Sequence, residues 1–135
     1  MSHYHAVVWI DHKEAHVLHF TPDEAEKVLV HAHPKHRQTH HSKGVIGGGK
    51  APEDREYFGR VAASLRGAME ILVVGPAQAK DEFARHLQKH AHDLAGKLVA
   101  VEVADHPSDG ELLRLARHYF VGADRMRTQP GTRPV

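Results

Sequence analysis

The stretch Tyr4-His-Ala-Val-Val-Trp-Ile10 constrains the fold more than any other. Side chains of a strand alternate between its two faces, and this run stays apolar at odd and even positions alike. Such a strand must be covered on both sides, so the chain has to build layers above and below a sheet. After the turn signal Asp11-His-Lys-Glu14, "AHVLHF" (15–20) reads as a second strand in a hairpin with the first. "AEKVLVHAH" (25–33) reads as a third strand of the same meander.

Beyond residue 52 the apolar period changes from two to that of a helix. Phe58, Val61, Ala62 and Leu65 line one face of a helix over 53–66, with Pro52 at its first position and Glu53 and Asp54 at the positive end of its dipole. "EILVVG" (70–75) is a short buried strand. A helix from Pro76 to Gly96 carries Phe83, Leu87 and Leu94 on one side, and "KLVAVEVA" (97–104) is a fifth strand. The last helix is capped by Ser108 or Asp109 and turns Leu112, Leu115, Ala116 and Tyr119 inward. The order β-β-β-α-β-α-β-α predicts an α/β protein with a mixed five-stranded sheet and helices on its faces, a three-layer ribonuclease-H-like fold. A Rossmann half is excluded, because it would alternate strand and helix from the start.

The 135 residues are enough for one domain, expected over 1–125, whose core needs no disulfide or structural metal. Residues 126–135 are polar and rich in Pro and Gly, and are expected to be a disordered tail. Absence of cysteine excludes thiol catalysis, Cys-ligated zinc and a disulfide scaffold. No signal peptide opens the chain, and no apolar run approaches the roughly 20 residues of a membrane span. A soluble, cytoplasmic protein with no membrane partner is the expectation.

Net charge is only +1, but its distribution is uneven: every charged residue between Lys27 and Glu53 is a cation. Within that region "HPKHRQTHHSKGVIGGGK" (33–50) holds four Lys or Arg, four His and four Gly without one carboxylate. It falls between the third strand and the first helix, so residues 34–52 are expected to form a flexible basic loop.

Four chemistries suit such a segment. "GVIGGGKA" (44–51) nearly matches a phosphate-binding G-x-x-x-x-G-K-[ST] loop, but Ala51 has no hydroxyl for magnesium and no strand directly precedes Gly44. A glycine hinge is the better reading. His31, His33 and His36 are the candidate metal ligands, yet no acid lies among them; the helical pair His86 and His90 lacks the Glu of a hydrolytic H-E-x-x-H. No metal or other cofactor is expected. A metal-dependent nuclease needs several convergent carboxylates, and Asp11 at the end of the first strand stands alone as a turn residue. RNA binding is the fourth: Lys35, Arg37, Lys43 and Lys50 would neutralise phosphates, Gly47, Gly48 and Gly49 allow close approach, and His36, His40 and His41 stack on bases. A solvated loop with no partner is the alternative beside it.

"ILVVGPAQAKDEFARHL" (71–87) adds a resemblance. A buried strand, Gly75-Pro76, then Lys80 and Phe83 on the next helix resemble the central domain of the eukaryotic and archaeal release factor and of Pelota. That domain also begins with a meander, and the resemblance spans roughly residues 4–121. It implies a stand-alone central domain of bacterial-type translational machinery, a non-enzymatic partner of the ribosome or of structured RNA or tRNA. In the release factor the loop after the third strand carries Gly-Gly-Gln, the tripeptide of peptidyl-tRNA hydrolysis. Here Gly47-Gly48-Gly49-Lys50 occupies that place, and the missing glutamine implies that hydrolysis is lost. A histidine-rich metal- or pH-responsive binding protein and a small nuclease are the alternatives.

Overall fold

The computed structural model describes residues 4–32 and 50–128, with side chains over 4–32 and 55–121. Three strands come first: β1 (His5–Ile10), β2 (Glu14–Phe20) and β3 (Ala25–His31). α1 (Lys50–Ser64) leads to β4 (Glu70–Gly75), α2 (Ala79–His90) and the single turn α3 (His92–Ala95). β5 (Leu98–Val103) and α4 (Asp109–Thr128) complete the chain.

The sheet order is β3-β2-β1-β4-β5. β1 pairs antiparallel with β2, and β2 with β3, as the meander requires. β4 lies parallel to β1, and β5 parallel to β4, because each is reached through a helix. The expected mixed sheet and three-layer ribonuclease-H-like arrangement are the ones observed.

β1 is central and buried on both faces from Ala6 to Ile10. Ala6, Val8 and Ile10 pack with Tyr57, Phe58, Val61, Leu65, Phe83, Leu87 and Leu94 of the helices α1 to α3. Val7 and Trp9 turn the other way, towards Leu112, Ala116 and Phe120 of α4. The period-two pattern of the strand thus selects which helices cover which side.

Several boundaries depart from expectation. α1 starts at Lys50, so residues 50–52 are helical and not loop. Pro52 fits there because the first-turn N–H groups of a helix have no carbonyl partner inside it. The helix ends before Gly67, whose φ of 101° a β-carbon would resist. The single helix expected from Pro76 to Gly96 is split. α2 begins at Ala79, and Ala91 (φ −147°, ψ 64°) breaks it from α3. No Gly or Pro marks that break; redirecting the chain there buries both Ala91 and Leu94.

β3 ends at His31, not His33. In α4 the buried stripe is Leu112, Ala116 and Phe120, while Leu115 is exposed and Tyr119 only half-buried. One helix crossing a sheet buries a narrow i, i+4, i+8 line. α4 also runs on to Thr128, past the expected start of the tail.

Candidate functional site

Because β1, β4 and β5 run the same way, Ile10, Gly75 and Val103 end at one edge of the molecule. β3, antiparallel to β2, ends there as well, so His31 sits beside Glu14 at the β1–β2 turn. The Tyr57 hydroxyl on α1 donates to the Asp11 carbonyl at 2.9 Å, which holds the early turns of α1 at the same edge. Arg60 donates to the carbonyls of His31 (2.9 Å) and Ala32 (3.2 Å). The segment joining β3 to α1 therefore leaves and re-enters outside the carboxyl ends of the strands. That is where open α/β sheets place their ligands.

Of the residues expected to bind RNA, Lys35, Arg37, His40, His41, Lys43, Gly47, Gly48 and Gly49 lie outside the described residues, as do the metal candidates His33 and His36. Lys50 is described as the first residue of α1. His31 closes β3, its Nδ1 3.8 Å from a Glu14 carboxylate oxygen. Among the described residues, no three His, Asp or Glu side chains gather closely enough to hold a metal ion. His86 and His90 do adjoin, with ring centroids 4.9 Å apart. Burial lowers the His86 pKa, and the neighbouring His90 and Arg55 lower it further.

Asp11 is a turn residue. Its Oδ1 accepts the N–H groups of Lys13 (2.8 Å) and Glu14 (2.9 Å), and its own N–H reaches the Glu14 carbonyl. Gly75 has a steric reason to be glycine: a β-carbon there would collide with the Ile10 carbonyl oxygen. Lys80, in the first turn of α2, is buried, and its ammonium donates to the Ala77 carbonyl and lies 3.5 Å from Asp81 Oδ2. Phe83 beside it is wholly buried. The sequence pattern Gly75-Pro76…Lys80…Phe83 is thus a packing unit at the carboxyl ends of β1 and β4.

Sequence reasoning missed a second feature of this edge. A cleft of about 210 Å³ opens between β1, β2 and the start of α4, lined by Trp9, Glu14, His16, His106, Asp109 and Leu112. The Trp9 indole N–H is shared between the carbonyls of Asp105 (2.7 Å) and Ala104 (3.2 Å), which pins the β5–α4 connection to the sheet. His16 Nε2 contacts Glu14 at 2.9 Å. Its Nδ1 lies 3.3 Å from Asp109 Oδ1, at ion-pair distance but out of line for a hydrogen bond. Lys27 reaches Asp109 Oδ2 at 2.5 Å. That hydrogen bond, opposed by partial burial and aided by the charges of Lys27 and His16, holds the Asp109 carboxyl below the usual carboxylate range. The only local sequence signal was Ser-Asp-Gly-Glu (108–111). Ser108 and Glu111 cap α4 reciprocally, with Glu111 N to Ser108 Oγ at 3.1 Å and Ser108 N to Glu111 Oε1 at 2.9 Å.

No helix among the described residues is long and apolar enough to cross a membrane. No protein-family model matches the chain, and no curated protein does. Solved structures do. Pelota of Archaeoglobus fulgidus superposes with a TM-score of 0.61 at 17% identity, over 96% of this chain and 37% of that one. Pelota of Thermoplasma acidophilum gives 0.57 at 17% identity, over 84% of this chain and 31% of that one. The archaeal translation termination factor aRF1 gives 0.54 at 12% identity, over 94% and 42%. Dom34 of S. cerevisiae, described as a translation termination-like factor involved in RNA quality control and interacting with Hbs1, gives 0.56 at 9% identity, over 93% and 36%. The chain spans between 31% and 42% of the length of these proteins. At these identities the likeness is one of fold, and the chain has the α/β fold that Pelota, Dom34 and aRF1 share.

Proposed function

We propose that this chain is a non-enzymatic, translation-associated domain that binds the ribosome or a structured RNA through residues 33–50. The fold it shares with Pelota, Dom34 and aRF1 carries this reading. Two placements support it: the segment follows β3, which ends at the carboxyl edge of the sheet, and it leads into α1, which Tyr57 and Arg60 tie to that edge. Its composition of four cations, four glycines and no acid suits a phosphate backbone, because each neutralised phosphate releases counterions. Lys35, Arg37, Lys43 and Lys50 contact phosphate; Gly47, Gly48 and Gly49 allow the backbone close; His40 and His41 stack on bases. Peptidyl-tRNA hydrolysis does not belong to this function, since a lysine stands where Gly-Gly-Gln has its glutamine. A cytoplasmic setting goes with the reading.

Sedimentation with ribosomes through a sucrose cushion, over a salt series, tests it. Binding should weaken steeply with salt, and Lys43→Ala with Lys50→Ala should flatten the log–log slope by roughly 1.5 to 2. The double variant should keep the circular-dichroism spectrum of the parent. Equal binding and an equal slope in both proteins would sink the proposal.

A further inference from the structure

The two edges of the sheet are built differently. β5 pairs with β4 across a register shift between Ile71 and Leu72, and its first four residues are half-buried. An interrupted, covered edge is a poor template for another strand. β3 pairs with β2 without interruption over all seven residues, Ala25 to His31, and residues 25–29 are exposed. Among the described residues no strand lies on its outer side.

Usual edge protection is weak there. β3 contains neither proline nor glycine. Lys27, the cation best placed to guard the edge, is drawn across the α4 face to Asp109. Pairing with β2 puts Leu29 opposite His16, on the α4 face, and Val28 opposite Val17, on the other. Val28 and Leu29 remain 40% and 43% exposed, one on each side of the strand. Among the described residues, the outward main-chain groups of Lys27 and Leu29 have no strand to pair with, and hydrocarbon flanks them on both faces.

We propose that β3 is an interface between two copies of this chain, which pair antiparallel about a two-fold axis through Val28. Self-pairing is what its charges favour. An axis through Glu26 or Lys27 would set like charges opposite one another, which is unfavourable. With the axis at Val28, Val28 meets Val28, Lys27 of one copy lies beside Leu29 of the other, and Glu26 lies beside Val30. No like charges stand directly opposite; the two Lys27 are diagonal neighbours, each already tied to its own Asp109, and Val28 and Leu29 of both copies are covered. A residue-centred axis stands perpendicular to the sheet, so each face of the joined sheet keeps the same helical layer in both copies. The isologous contact closes on itself and does not propagate. One short strand per copy buries less than a standard interface, so the dimer is weak and depends on concentration.

Sedimentation velocity of the full chain, from micromolar towards millimolar concentration, tests this. The mass should rise from one chain to two. Val28→Lys sets two ammonium groups at the axis, and Leu29→Lys sets an ammonium beside Lys27 of the other copy, twice over; each should hold the mass at one chain with an unchanged circular-dichroism spectrum. Val103→Lys, on the opposite edge, should dimerise as the parent does. A one-chain mass at every concentration overturns the proposal. So does a dimer that survives both β3 substitutions, or one that Val103→Lys abolishes.

Discussion

Three helices cover one face of the sheet and a single helix covers the other, and the two faces are packed to different depths. Among the described residues, the first face holds one continuous cluster of nineteen buried ones, against nine on the α4 face. Its contacts are mostly hydrocarbon and aromatic, with Phe58 edge-on to Phe83 at 5.6 Å. Long-range polar ties cross both faces. On the first, Tyr57 donates to the Asp11 carbonyl, Arg60 to those of His31 and Ala32, and His19 Nε2 to that of Ser64 at 2.7 Å. The α4 face sets similar ties beside a smaller apolar cluster. The Trp9 indole holds the chain before α4, Lys27 holds Asp109 at its start, and Arg117 donates to the carbonyls of Thr21 and Glu24. Two clefts flank the helix: the one at Trp9, and an apolar one of about 230 Å³ lined by His5, Phe20, Phe120 and Val121 at the opposite end. One helix cannot fill the width of a five-stranded sheet, so the two clefts beside α4 stay open.

Large-to-small substitutions give the strongest test of that contrast. Phe83→Ala in the deeper layer should cost about 3–5 kcal/mol in denaturant unfolding, because tightly packed neighbours leave a cavity unfilled. Phe120→Ala should cost roughly 2–3 kcal/mol, since the cleft beside it lets the site collapse or admit water. Equal losses at the two positions would break the comparison.

Trp9→Phe sharpens it at intermediate size. The ring volume is largely kept, but two carbonyls before α4 lose their donor, so about 1–2 kcal/mol should go. Amide exchange should accelerate in the first turn of α4 while that of α1 is unchanged. A uniform acceleration would mean that Trp9 acts as general core and not as an anchor for one layer.

The smallest effects are electrostatic and separate the faces by pH. His86 lies against the deeper layer with its pKa lowered from 6.5, so the unfolded chain takes up its proton first. Stability should fall as pH drops below about 6.5 towards the folded value, and His86→Gln should flatten that part of the profile. Asp109 on the α4 side has its pKa lowered from 3.8, so its contribution is present above that pH and is lost as pH falls through the folded value. Asp109→Asn should remove that acid-side loss and cost under about 1 kcal/mol at neutral pH, as exposed ion pairs do. A pH–stability profile of both variants checks the two signs together.

The sequence by itself determined whatever depends on neighbours a few residues apart. The unbroken apolar run in β1 predicted a strand buried on both faces, the spacing of Phe58, Val61, Ala62 and Leu65 predicted the buried side of α1, and the expected cap at Ser108 or Asp109 marked the start of α4, where Ser108 fills it. Of the candidate site, the cationic, glycine-rich segment was legible from composition, as was its place between β3 and α1. The tertiary structure alone decided the rest. Nothing near Ala91 announces the break in α2; it arises because Leu94 is buried with residues from distant strands. The ties Trp9–Asp105, Lys27–Asp109 and Arg117–Thr21 join residues 82 to 96 positions apart. Such pairs have no sequence period, because they exist only once the order β3-β2-β1-β4-β5 has brought their strands and α4 together.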